Sequence, residues 1–202
     1  MGQRLNIEIK VSGRVVANAY YHWSAYTGES LDLVNKIITN FDSIKEENPI
    51  LYGVQLLQLT GAGLERKSVD WAYKNIPNFS LNEMDTIKYK YNIEDDRNNG
   101  LIAITEKDME ETRFWQEGYV CIDVNEKLVD FEVFCHHEEA ALEEWEIEKG
   151  EELNLGYPIS AIPFDKFLEF SIKINDLIEK EKNSDNGIAY KVEDNHYIQC
   201  IS

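Results

Sequence analysis

Long apolar runs are missing from this sequence. No stretch approaches the ~20 residues that a bilayer-spanning helix needs, and the opening Met1-Gly2-Gln3-Arg4 lacks the hydrophobic run of a signal peptide. The myristoylation pattern also fails, because position 6 is Asn6 where Ser or Thr is required. The expectation is a protein of the cytoplasm with no membrane partner. Cysteine is scarce and odd in number: Cys121, Cys135 and Cys200 share no metal-type spacing and read as reduced thiols. In a reducing compartment the sequon Asn78-Phe79-Ser80 is a chance match. Positive charge is the third shortage. Against 38 Asp and Glu stand only 20 Lys and Arg, a net charge of −18. Such a surface repels phosphate backbones and anionic lipid, so direct nucleic-acid binding is not expected, whereas basic proteins are attractive partners.

Complete catalytic motifs are lacking too. Gly61-Ala62-Gly63 follows a helical pattern and has no Gly-Lys-Ser/Thr, so it reads as a helix cap and turn, not a phosphate loop. Cys135-His136-His137-Glu138-Glu139 is dense in metal-ligand types, but neighbouring strand residues point to opposite faces, and a zinc helix needs His at i and i+4, where this chain has Ala141. No metal, no cofactor and no catalytic acid–base pair is expected.

What is present is ordinary globular material: 202 residues, 43% hydrophobic and 11% aromatic, enough for a proper core. Leu5, Ile7 and Ile9 alternate with polar residues, and the segments 4–10 and 15–21 around Val11-Ser12-Gly13-Arg14 predict an amino-terminal hairpin whose first strand is half buried. Leu31, Val34, Ile38 and Phe41 predict a helix over about 30–44, with Thr27 or Ser30 as its cap. A second helix is predicted over about 49–59. Residues 64–97 show no clean period, although 87–91 alternate like a strand, and 94–100 reads as a loop and a possible lobe break. A short strand over 101–104 precedes a helix to about Gln116, capped by Thr105 with Asp108 three residues on. Val120, Ile122 and Val124 face Val129, Phe131, Val133 and Cys135 only if paired numbers sum to an odd value, which implies a two- or four-residue loop and forbids a Cys121–Cys135 bridge across that hairpin. Pro163 opens a helix through Phe164, Phe167, Leu168, Ile172 and Ile178, and 188–201 reads as a last strand. The mixture lacks a βαβ rhythm. It predicts a single α+β domain over 1–202, a largely antiparallel sheet of hairpins with three to five packed helices.

Two stretches are candidates for function. Tyr20-Tyr21-His22-Trp23-Ser24-Ala25-Tyr26-Thr27 sets aromatics, hydroxyls and an imidazole at a strand-to-helix junction. His22, Trp23, Ser24 and Tyr26 mark a possible small-ligand or nucleotide pocket or a partner surface, against the reading of a core-forming aromatic strand followed by a capped helix. The other stretch is acidic: Glu138, Glu139, Glu143, Glu144, Glu146, Glu148, Glu151 and Glu152 fall within fifteen residues around Trp145, with Lys149 the one positive charge. As a helix it spans about 22 Å, with one carboxylate per ~3 Å, close to the ~3.4 Å charge spacing of one DNA strand. As a strand, Glu144, Glu146 and Glu148 repeat on one face every ~6.7 Å, with Trp145 and Ile147 on the other. Either shape suits a basic channel built for nucleic acid, and either could also be a solvated face that maintains solubility.

The opening Met1-Gly2-Gln3-Arg4-Leu5-Asn6-Ile7-Glu8-Ile9, the string 19–27 and the loop Asp96-Arg97-Asn98-Asn99-Gly100-Leu101-Ile102 resemble a family of uncharacterised phage and prophage proteins of Gram-positive bacteria. The resemblance covers the first half of the chain and carries over no catalytic residue. It implies expression from a mobile element inside a host cell, a setting similar to that of anti-defence factors such as anti-CRISPRs. Three expectations follow: an inhibitor that places its glutamates on the basic surface of a host defence nucleoprotein, a ligand-binding protein or enzyme using the His22 to Thr27 region, or a phage structural or regulatory protein.

Overall fold

The computed structural model describes residues 4–25, 27–79, 100–114, 116–133 and 159–182. Among the described residues, seven strands form one mixed sheet in the order β3-β4-β2-β1-β5-β6-β7, with five α-helices packed on it, an α+β fold. Four of the six strand pairings are antiparallel, while β1–β5 and β3–β4 run parallel.

The chain begins with the predicted hairpin, β1 (Leu5–Val11) and β2 (Arg14–Tyr21). Its two-residue turn holds Ser12 at φ 50° and Gly13 at φ 78°, the pair of positive dihedrals that matches strand twist in a tight hairpin. Helix α1 (Thr27–Ile38) begins three residues before the predicted start and ends sooner. Thr39 Oγ1 donates to the Asn35 carbonyl and Asn40 Nδ2 to the Lys36 carbonyl, so local side chains take over the last helical acceptors. A single 3-10 turn, Phe41–Ser43, then leads to α2 (Pro49–Gln58), where Asn48 Oδ1 accepts from the amides of Ile50 and Leu51 and Pro49 occupies the first turn. Gly61 at φ 93° closes that helix, as the Gly-Ala-Gly string predicted.

Two elements depart from the sequence reading. Residues 66–75 form α3 (Arg66–Asn75) after the two-residue β3 (Gly63–Leu64), with Val69, Ala72, Ile76 and Phe79 buried. The exposed Tyr73 masked that stripe, and small Ala72 supplies its middle. The second is β7 (Ile159–Pro163), an edge strand obscured in sequence by its terminal proline and by an irregularity at Ala161, held at φ 55°. Pro163 therefore ends β7, and α5 (Phe164–Lys182) starts one residue later.

The short strand, the Thr105-capped helix and the hairpin predicted after it are present. Strand β4 (Leu101–Ala103) precedes α4 (Glu106–Arg113), whose cap Thr105 accepts from the Asp108 amide. Strands β5 (Gly118–Asp123) and β6 (Leu128–Glu132) pair Val120 with Phe131 and Ile122 with Val129, an odd-sum register closed by a four-residue loop.

The core lies on one face of the sheet. Leu5, Ile7, Ile9, Ala17, Ala19, Val120, Ile122, Val129 and Phe131 join Leu31, Val34 and Ile37 of α1, Val54 and Leu57 of α2, and Phe167 and Phe170 of α5 in one apolar cluster. Phe131, Phe167 and Phe170 meet edge to face at 5.5–6.2 Å. That aromatic stripe settles which side of α5 is inward: Ile172, expected in the core, is 64% exposed, and Ser171 is buried, accepting from Asn35 Nδ2 of α1.

Candidate functional site

The acidic stretch 138–152 with Trp145, the Cys135 to Glu139 string, Tyr26, the strand expected at 87–91 and the one expected at 188–201 lie outside the described residues. The loop and possible lobe break at 94–100 also lie there except for Gly100.

The aromatic string divides by strand alternation. Tyr21 points into the core and is fully buried, its hydroxyl 2.6 Å from Thr60 Oγ1, and burial raises its pKa strongly. Ser24 and Ala25 are buried at the start of α1, where the Ser24 carbonyl accepts from Ser30 Oγ. Tyr20 and His22 are half-buried and Trp23 is exposed. The Tyr20 hydroxyl and His22 Nδ1 are hydrogen-bonded at 3.0 Å, and the His22 and Trp23 rings meet edge to face at 5.0 Å. His22 and Trp23 are thus brought together, while Ser24 belongs to the buried helix start. Arg4 reaches the same corner: burial raises the Tyr20 pKa and the guanidinium opposes that shift, while the Arg4 amide donates to Glu117 Oε2 at 2.8 Å.

A second constellation was not visible in the sequence. Asn6 and Glu8 alternate with the core residues of β1 and were expected to face water, but they are 0% and 2% exposed. Helix α4 covers them. Arg113 Nε donates to Glu8 Oε1 in a close ion pair, and the Tyr119 hydroxyl donates to Glu8 Oε2 at 3.0 Å. Asn6 Nδ2 donates to the Thr112 carbonyl at 3.0 Å and to Gln116 Oε1 at 3.1 Å, and Asn18 Nδ2 donates to Thr112 Oγ1 at 2.8 Å. Asn18 Oδ1, beside them on β2, is buried with no partner. Sequence periodicity reports only that one strand face is polar; the covering helix arrives from more than a hundred positions away.

The electrostatics of this face follow from burial. Cys121, paired in register with Glu8 and Asp130, has its thiol pushed up to about 11 by burial, with the nearby carboxylates adding to the shift. Burial first, and then the charges of Cys121 and Glu8, push the Tyr119 hydroxyl well above its usual value. The Arg113 guanidinium is held still more firmly charged by its bond to Glu8. These shifts keep the thiol, the phenol and the guanidinium protonated around the Glu8 carboxylate that pairs with Arg113, an arrangement suited to holding structure together. At the rim Lys67 lies 3.5–4.0 Å from Glu111, Glu65 and Asp108, its ammonium occupying the centre of the three carboxylates. A shallow depression of about 720 Å³ on the outer side of α4 is lined by Lys107, Glu110, Glu111 and Phe114.

Among the described residues, no group of three or more His, Cys, Asp or Glu is arranged to hold a metal ion, and no helix is long and apolar enough to cross a membrane. Compared with family models, curated proteins and solved structures, the chain matches none.

Proposed function

We propose that this protein is a phage-encoded, non-enzymatic inhibitor, acting in the cytoplasm of a bacterial host, that binds the basic surface of a nucleoprotein defence effector of the CRISPR-Cas kind. Charge carries the reading. Of a net −18, the fifteen residues from Glu138 to Glu152 contribute −7, a density comparable to that of the nucleic acid such an effector is built to hold. The exposed side of α4 adds Glu106, Glu110 and Glu111 to the acidic character of the molecule. Glutamates 138, 139, 143, 144, 146, 148, 151 and 152 would stand in for phosphates, with Trp145 as the apolar anchor that distinguishes a specific contact from loose attraction.

Binding of this kind weakens steeply as salt rises, because the screening length falls to about 8 Å at physiological ionic strength. The test is charge reversal of Glu143, Glu144, Glu146 and Glu148 to Lys, measured as affinity for the effector pulled from host lysate and as inhibition of its activity. Loss of both supports the reading; unchanged affinity and inhibition defeat it. In a parallel thermal-shift screen, stabilisation by a nucleotide would transfer the function to the His22–Trp23 corner.

A further inference from the structure

The helices of the described residues are not attached to the sheet in the same way. Helices α1, α2, α3 and α5 are embedded through leucines, valines, isoleucines and phenylalanines. Helix α4 has eight residues, and its two buried members are Asp108 and Met109. Its other attachments to the sheet are polar: Arg113 to Glu8, the Thr112 carbonyl and Gln116 to Asn6, and the Thr112 hydroxyl to Asn18.

We propose that α4 is a hydrogen-bonded cover that opens as a unit while the sheet beneath it stays folded. Apolar burial stabilises in proportion to the area removed from water, and lifting α4 returns only one large apolar side chain, Met109, to solvent. The polar contacts are exchanged for contacts with water, which reduces the net worth of each to about 1 kcal/mol and of the Glu8–Arg113 pair to about 1.5–3 kcal/mol, about tenfold or more in the opening equilibrium. Hydration on opening also satisfies the unpartnered Asn18 Oδ1, which offsets part of what is lost. A helix of eight residues has little stability of its own once detached. Both ends of the cover are anchored to elements that do not need to move. Ile104 before it donates its amide to Ser68 Oγ of α3, and the amides of Glu117 and Gly118 after it donate to the Arg4 carbonyl. The opened state presents Glu8, Asn6, Asn18 and Tyr119 as a polar floor hidden in the closed one. This cover is independent of the acidic stretch and stands or falls without it.

Native-state hydrogen exchange on the full chain tests the idea in two ways. In the unaltered protein, amides from Met109 to Phe114 should exchange by an opening insensitive to low denaturant, whereas amides of β1, β5 and α2 should exchange only through global unfolding. Glu8→Gln keeps an acceptor for Tyr119 but removes the charge facing Arg113. It should speed exchange at 109–114 about tenfold or more, the scale of one charge-assisted hydrogen bond, because the Glu8–Arg113 contact is already lost in the opened state. If the α4 amides share the protection and denaturant dependence of β1 in the unaltered protein, the cover does not exist. Val129→Ala removes a core contact that the opened state keeps, so it should speed exchange of β6 and α5 and leave 109–114 unchanged; acceleration of 109–114 by the same factor in that variant also overturns the cover.

Discussion

The ring of Tyr21 occupies the space that any side chain at position 100 would need: a Cβ on Gly100 would lie 2.5 Å from Tyr21 Cε1 and 2.8 Å from Cδ1. Gly100 also sits at φ +82°, and its carbonyl accepts from the Gly63 amide beside β4. One glycine thus lets the chain turn into β4 against the largest buried ring of the hairpin.

Gly100→Ala combines a left-handed backbone with a collision against a ring fixed by its bond to Thr60. The expected destabilisation is about 2–4 kcal/mol in chemical denaturation. Pairing it with Tyr21→Leu should recover part of that loss, since the obstacle is then removed. A loss from Gly100→Ala below ~0.5 kcal/mol would show that the two residues do not constrain each other.

Asp123 and Lys10 form an ion pair at 3.0 Å beside the β5–β6 loop. Burial works against ionising Asp123, but the Lys10 ammonium and the amides of Glu126 and Asn125 outweigh it, holding the carboxyl below its usual value. A carboxyl with a depressed folded value contributes stability above the unfolded value and loses it as pH falls through the folded one. Asp123→Asn keeps the acceptor for the loop amides and removes the charge. Its cost at pH 7 should be on the order of 1 kcal/mol or less, because Lys10 is solvent-exposed, and that cost should fade below pH ~4. Thermal denaturation from pH 2 to 7 checks it, and a cost independent of pH refutes the assignment.

The Cys121 thiol, raised to about 11, is nearly all protonated at neutral pH. Peptide mapping after iodoacetamide treatment at pH 8 should find Cys121 labelled about a hundredfold more slowly than a free thiol, with labelling becoming rapid in denaturant. Rapid labelling in the native protein would contradict its burial between Glu8 and Asp130.

Elements marked by strong local chemistry were legible in advance. Asn48-Pro49, Thr105 with Asp108, and Gly61 announced helix ends, and the parity of Val120, Ile122, Val129 and Phe131 announced a strand register. Strand β7 was not legible because its pairing depends on Leu128 and Val129 more than thirty residues away, with a proline at its end. Helix α3 hid behind Tyr73, whose ring leans on Phe79 at 4.9 Å while remaining half exposed.

The sequence by itself determined the acidic balance, the hairpins and the helix caps, because each depends on composition or on residues within a few positions of one another. Only the tertiary structure decided what the polar face of β1 is for. Asn6 and Glu8 are indistinguishable from solvent-facing residues until Thr112, Arg113 and Gln116 are laid over them. A buried carboxylate is tolerable only when distant donors satisfy it, and no pattern along one strand can reveal where those donors come from.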